Sequence, residues 1–123
     1  MGLDVRVVMA KNRKQLESEN FWDTCATGWV KDDEDFIDFD KPTEVLYWRK
    51  FWDLYTPMSS KLKIDSGEWA ELSKNDLEEI LNIASHTPDY FGTFNTVPAI
   101  CEVLHYYDAA HSHGMSFFFE GDY

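Results

Sequence analysis

Two groups of side chains in this 123-residue sequence have types and spacings that suit chemistry or recognition. The first is the acidic run 31–40 (KDDEDFIDFD), which holds six carboxylates against one lysine. The second is a thiol, an imidazole and a carboxylate that recur at helical spacing as Cys101, His105 and Asp108. Dense acid suits contact with a basic partner, whereas the second group suits metal binding or thiol chemistry.

The acidic run also contains the large apolar residues Phe36, Ile37 and Phe39, so it differs from a disordered solvating tail. On a strand, alternate residues lie about 6.6 to 6.8 Å apart. Asp38 and Asp40 in that register would space carboxylates much as a nucleic-acid strand spaces phosphates. We therefore predict a partner-binding surface made of Asp32, Asp33, Glu34, Asp35, Phe36, Asp38, Phe39 and Asp40.

The same run has a structural interpretation, in which Phe36 and Phe39 face the core and the aspartates keep an edge strand soluble and unpaired. An EF-hand calcium loop is excluded, because it needs glycine at its sixth position and glutamate at its twelfth. Counted from Asp32, these positions hold Ile37 and Thr43.

Cys101, His105 and Asp108 would lie on one face of a helix, opposite its apolar side. The zinc pattern of two histidines four residues apart beside a glutamate is absent, and no Gly-rich or strained element exposes the thiol. We therefore expect a solvent-facing helix surface and predict no cofactor, no metal and no catalytic activity. The alternatives are a small metal- or thiol-dependent enzyme that uses these three residues, and a self-associating structural protein.

The net charge of −12 and a pI of about 4.5 oppose direct binding to DNA, RNA or an anionic membrane. A basic protein is the expected partner, although such charge also serves solubility alone. The sequence shows no membrane-spanning run and no secretory signal, which predicts a cytoplasmic protein with Cys25 and Cys101 reduced.

Hydrophobic periodicity predicts a single α+β domain, with a small mixed or antiparallel sheet and about three helices on one face. Strands are expected at 3–10, 36–39, 68–72 and 115–120, with an irregular strand or hairpin arm at 21–30. Helices are expected at 44–55, 74–85 and 98–111. Pro57 should end the first helix, and the aromatic-rich segment 87–96 should be a loop.

Four short segments carry a resemblance to known proteins: MGLDV at the start, YWRK at 47–50, SKNDLEEIL at 73–81 and FFFEGDY at 117–123. Together they resemble a group of small bacteriophage and prophage proteins, over about half of the chain. That group brings no established activity, so the resemblance implies a phage context inside a bacterial host and no functional residues.

These expectations converge on an acidic binding protein that works in the cytoplasm of a bacterial host. It would inhibit a host nucleic-acid-binding protein, such as a CRISPR effector, a restriction enzyme or a polymerase component. Its carboxylates would stand in place of phosphates, and its aromatic side chains would supply part of the affinity.

Overall fold

The computed structural model describes residues 2–87 and 96–123. Within these residues ten elements follow one another, and four of them are helices or strands of only two to four residues. In order they are β1 (Asp4–Ala10), α1 (Arg13–Leu16), α2 (Phe21–Thr24), β2 (Ala26–Thr27), β3 (Thr43–Arg49), α3 (Trp52–Leu62), β4 (Trp69–Leu72), α4 (Lys74–Ser85), α5 (Thr96–Ser112) and β5 (Ser116–Asp122).

The strands form one five-stranded sheet in the order β2-β3-β1-β5-β4. Strand β1 lies at its centre and pairs antiparallel with β3 and β5, while β4 pairs antiparallel with β5. The two-residue strand β2 runs parallel to β3, with Ala26 opposite Thr43, so the sheet is mixed. The predicted α+β class is confirmed, and β5 lies inside the sheet as its three consecutive phenylalanines indicated.

One face of the sheet carries the larger core. Val5, Val7 and Met9 of β1 belong to the same buried cluster as Phe117 and Phe119 of β5, because alternate strand residues share a face. The three long helices α3, α4 and α5 contribute the other side of this cluster, including the fully buried residues Leu54, Met58, Leu77, Ile80, Ile100 and Val103.

The opposite face is only half covered. Val8 and Phe118 are buried there beneath Leu16 of α1 and Phe21 of α2. Towards the other end of the same face the side chains are polar or charged, beginning with Arg6. A second, smaller core therefore occupies one end of this face, and a charged cluster occupies the other.

Segment 44–55 was predicted as one helix, and this prediction is wrong. Thr43–Arg49 is a strand, in which Leu46 and Trp48 are buried and Tyr47 and Arg49 are exposed. The β-branched and aromatic residues favour a strand once β1 offers a partner, and the helix starts only at Trp52. Apolar residues at 45, 48, 52 and 55 imitate a helical stripe although they come from two elements.

Pro57 does not end α3, contrary to prediction, since the helix continues to Leu62. The hydrogen bond that proline cannot donate would go to the carbonyl of Asp53 in the exposed first turn, where water can replace it. The helix ends instead at Lys63, which adopts the left-handed conformation with φ 58°.

Local signals predicted α4, β4 and α5 well. The helix Lys74–Ser85 has the predicted limits, and Ser73 and Asp76 form a reciprocal capping box. Strand β4 and the helix up to Ser112 also match their predictions. The irregular strand or hairpin arm predicted for 21–30 is present only as the two-residue strand β2, and the segment begins with the short helix α2. The loop predicted around Tyr90, Phe91 and Phe94 lies outside the described residues.

None of the helices in the described ranges has the length and apolar character that a membrane crossing requires. Cys25 and Cys101 are both free thiols, the first half-buried and the second exposed.

Candidate protein-interaction surface

The predicted site residues lie in an ordered loop between β2 and β3, which we call the acidic loop (residues 31–40). Lys31 and Ile37 form an antiparallel bridge across it. Asp32 donates its backbone N–H to the carbonyl of Phe36 over 2.9 Å, and Asp38 donates to the carbonyl of Val30 over 2.8 Å. The segment 36–39 is therefore one arm of a tight turn and not the predicted strand.

Two of the aspartates shape the loop with their own side chains. Asp32 Oδ1 accepts the backbone N–H of Glu34 over 2.9 Å and that of Phe36 over 3.0 Å. Asp38 Oδ1 accepts the backbone N–H of Asp40 over 2.9 Å. Such bonds from a side chain to the following backbone are what makes aspartate favourable in turns. Asp38 and Asp40 are consequently not in strand register, and the predicted regular spacing between them is wrong.

The two phenylalanines of the acidic loop have different surroundings. Phe39 packs against Trp29, Tyr106 and His113, with ring centroids 6.3, 5.9 and 5.4 Å away. Phe36 is 66% exposed. Phe39 therefore anchors the loop to the end of α5, as the structural interpretation required, while Phe36 is available to a partner.

All six acids of the loop are exposed. Within residues 2–87 and 96–123, no lysine or arginine forms a salt bridge with them. The basic atom nearest to pairing is Nδ1 of His113, 3.5 Å from Asp40 Oδ1. The loop thus presents concentrated negative charge that the described part of the fold leaves almost uncompensated.

The second predicted group, Cys101, His105 and Asp108, lies exposed along α5. Asp108 pairs with Lys74 of α4 over 3.2 Å, and the His105 ring packs edge-on against Tyr106. Across the described parts of the chain, no group of three or more His, Cys, Asp or Glu side chains could hold a metal ion. The described residues therefore do not bring Cys101, His105 and Asp108 together as a metal-ligand group.

Sequence reasoning missed a charged cluster centred on Arg6, on the half-open face of the sheet. Arg6 lies 3.0 Å from Glu120, 3.7 Å from Glu44 and 3.9 Å from Asp4, measured between nitrogen and oxygen atoms. These residues come from β1, β3 and β5, so one guanidinium joins three neighbouring strands. We call Arg6 and its three carboxylates the Arg6 cluster.

Two aromatic rings flank the guanidinium of Arg6. Its central carbon lies 5.4 Å from the ring centroid of Trp22 and 5.6 Å from that of Tyr47, which is the range of a cation–π contact. The Tyr47 hydroxyl donates to Asp4 Oδ1 over 2.6 Å. The two aromatic rings and the three carboxylates together surround the guanidinium of Arg6.

Burial raises the pKa of both Glu120 and Glu44, although the nearby Arg6 acts in the opposite direction. The charge of Arg6 is already shared by three carboxylates, so the cluster fastens strands together and leaves no free cation to act on a substrate. The alternation of Asp4 and Arg6 with Val5 and Val7 was the one signal of a polar face here. Because β3 was predicted as part of a helix, its residues Glu44 and Tyr47 were not expected to lie next to Arg6.

Comparison with known proteins adds no relative from which a role could be transferred. The function must therefore be argued from the chemistry of the surfaces, since fold alone does not define it. The chain matches no protein family, no curated protein and no solved structure.

Proposed function

We propose that the protein binds a basic partner protein through the acidic loop and takes the place of nucleic acid in the partner's groove. One observation carries the proposal: six exposed carboxylates stand on a loop that is closed by backbone bonds and anchored by Phe39. Because the loop is ordered before binding, little conformational entropy would be lost when a partner engages it.

We expect attraction between opposite charges to act at long range and apolar contacts to form once the two proteins touch. A net charge of −12 steers the protein towards a cationic groove and away from nucleic acid itself. Phe36 can then insert among the apolar or stacking side chains that line grooves for single-stranded nucleic acid. Binding of this kind should weaken steeply as salt is added.

The partner class follows from this chemistry. A groove that binds phosphates is lined by lysine and arginine, so the candidates are host nucleic-acid-binding proteins. The resemblance to phage proteins favours an inhibitor of a CRISPR effector, a restriction enzyme or a polymerase component.

The test compares two variants of equal net charge. In the loop variant, the six acids of the acidic loop become Asn or Gln, which retain the oxygen acceptors that shape the turns. In the control variant, six exposed acids elsewhere are changed in the same way, namely Glu17, Glu19, Asp23, Glu71, Glu78 and Glu102. Circular dichroism and thermal unfolding would establish that both variants fold.

Each protein is used to capture partners from a bacterial lysate at about 0.05 M and 0.5 M salt, and bound proteins are then challenged with single-stranded and double-stranded DNA. We expect the wild type and the control variant to capture nucleic-acid-binding proteins that DNA and high salt release. The loop variant should capture them at least about 100-fold less, because several charged contacts are lost together. Equal capture by the loop variant would refute the proposal, and so would partners that DNA fails to release.

A further inference from the structure

Three aromatic rings meet where α3 begins and β5 ends: Trp52, Tyr55 and Tyr123, which we call the aromatic corner. The ring centroids of Trp52 and Tyr123 are 5.2 Å apart, and the two ring planes are inclined at 61°. Tyr55 contacts both rings edge-on, at 6.0 and 5.6 Å. Trp52 is 42% exposed and Tyr123 is 50% exposed, so two inclined rings are open to solvent.

The aromatic corner is held in place by the backbone around it. Ser66 Oγ accepts the backbone N–H of Tyr123 over 2.9 Å and donates to its carbonyl over 3.1 Å. The Tyr55 ring lies directly against the strand at Gly121, where an added Cβ would be 2.0 Å from Tyr55 Cε1. Glycine at this position is therefore what allows the rings to meet, and the corner is organised without a ligand.

Tyr55 is the buried member of the aromatic corner. It is only 3% exposed, and its hydroxyl lies close enough to Tyr123 for that side chain to act on the Tyr55 pKa. Burial raises the pKa of Tyr55 to about 12, with Tyr123 and Asp65 adding to the effect. Tyr55 therefore forms the closed base of the aromatic corner, and the two open rings, Trp52 and Tyr123, are left accessible to a ligand.

The charge around the aromatic corner is negative. Asp53 follows Trp52 in the first turn of α3, and Asp65 acts electrostatically on the Tyr55 hydroxyl. Asp122 accepts a long hydrogen bond from Ser66 over 3.5 Å. In the part of the chain that the structure describes, no lysine or arginine lies over Trp52 or Tyr123.

The Arg6 cluster is a filled counterpart of this arrangement. There, two aromatic rings and three carboxylates surround the guanidinium of Arg6 at ring distances of 5.4 and 5.6 Å. The aromatic corner offers the same kinds of groups, two rings and neighbouring carboxylates, and none of the described lysines or arginines stacks on these rings. Charge complementarity therefore indicates that a cationic group should cover the aromatic corner.

We propose that the aromatic corner binds an arginine side chain of a partner protein. The guanidinium would stack on Trp52 and Tyr123 and donate N–H bonds to the neighbouring aspartates. This surface does not depend on the acidic loop. In the ladder between β1 and β5, Asp122 lies opposite Asp4 at one end and Phe117 lies opposite Met9 at the other. The aromatic corner is at the Asp122 end, whereas Phe39 of the acidic loop packs near Phe117, since both rings contact Trp29.

The test uses N-acetylarginine methylamide as the probe and its uncharged citrulline analogue as the matched ligand. The indole N–H resonance of Trp52 is followed by NMR at constant ionic strength, with Trp22 and Trp29 as internal references. We expect a saturable shift at Trp52 with the arginine probe, and at least about fivefold weaker binding of the citrulline analogue because the cation–π contact is lost.

Variants then locate the site. Tyr123→Leu should weaken binding of the arginine probe at least about fivefold, whereas Phe36→Leu, at a more exposed aromatic residue of the acidic loop, should leave the Trp52 shift unchanged. The loop variant without its six acids should also retain the Trp52 shift, which separates this proposal from the first one. A shift that fails to saturate, equal binding of the citrulline analogue, or unchanged binding by Tyr123→Leu would overturn the proposal.

Discussion

Carboxylates concentrate in two regions of this molecule, the acidic loop and the Arg6 cluster, and the two regions compensate their charge differently. In the Arg6 cluster, one guanidinium lies 3.0 to 3.9 Å from three carboxylates that are at most partly exposed. In the acidic loop, six carboxylates face water, and His113 is the nearest described basic group. The first arrangement stabilises the sheet, and the second leaves its charge for a partner.

The contrast also shows how burial decides what a charged residue can do. A carboxylate taken out of water needs a cation close by, because its desolvation is costly. A carboxylate on a solvated turn needs none, and it can keep its hydration until a basic surface replaces it. Charge counted along the sequence cannot distinguish these cases.

The largest effect on stability is expected when the positive charge of the Arg6 cluster is removed. Arg6→Met leaves Asp4, Glu44 and Glu120 close together without a positive charge, so we expect the free energy of unfolding to fall by about 3 kcal/mol. Urea unfolding followed by tryptophan fluorescence measures this loss.

The matched variant is Lys31→Met in the acidic loop, which removes a positive charge from a solvated region and should change stability by less than about 0.5 kcal/mol. Similar losses for the two variants would mean that the Arg6 cluster is no more dependent on its cation than the loop is.

A smaller effect is expected when the loop anchor is removed. Phe39→Ala should lower the free energy of unfolding by about 2 kcal/mol, because Phe39 is half-buried against Trp29, Tyr106 and His113. Amide exchange in the acidic loop should also become faster.

Phe36→Ala provides the control, because the side chain is 66% exposed and its loss should leave the thermal midpoint nearly unchanged. If the two variants lost equal stability, the loop would not be anchored at one phenylalanine, and its order before binding would be in doubt.

The smallest effect is a pH dependence. Burial raises the pKa of Glu120 in the folded state, so ionisation of this group disfavours folding. Its penalty is absent below the unfolded-state pKa, about 4.3, and appears as the pH rises through the raised folded-state value. Glu120→Gln should therefore gain stability relative to the wild type between about pH 4 and pH 7.

Chemical denaturation across this pH range checks the sign, and Glu102→Gln on the exposed side of α5 supplies the baseline. If Glu120→Gln instead lost stability relative to the wild type as the pH rose, attraction to Arg6 would outweigh burial, and Glu120 would be a net stabilising ion-pair partner.

Sequence reasoning succeeded where the deciding interactions are local. The helix Lys74–Ser85 carries its own start signal in Ser73 and Asp76, and its apolar spacing leaves no competing interpretation. The alternation around Val5 and Val7 likewise defined β1 without reference to the rest of the chain.

It failed where partners distant in sequence decide. Residues 43–49 became a strand because β1 pairs with them, and no local pattern distinguishes that outcome from a helix. The Arg6 cluster joins positions 4, 6, 44 and 120, so it exists only once three strands are aligned. The composition of the acidic loop was visible from the start, whereas its turn geometry depends on backbone bonds to Val30 and Phe36.

The short parallel pairing of β2 with β3 places the two ends of the acidic loop side by side. The backbone N–H of Ala26 donates to the carbonyl of Pro42 over 3.0 Å, and that of Gly28 to the carbonyl of Glu44 over 2.9 Å. A connection that leaves and returns at one place can be lengthened, shortened or exchanged with little effect on the framework, because closure entropy changes slowly with length. The segment between Lys31 and Asp38 can therefore change in length and sequence, and so in binding specificity, while the sheet stays as it is.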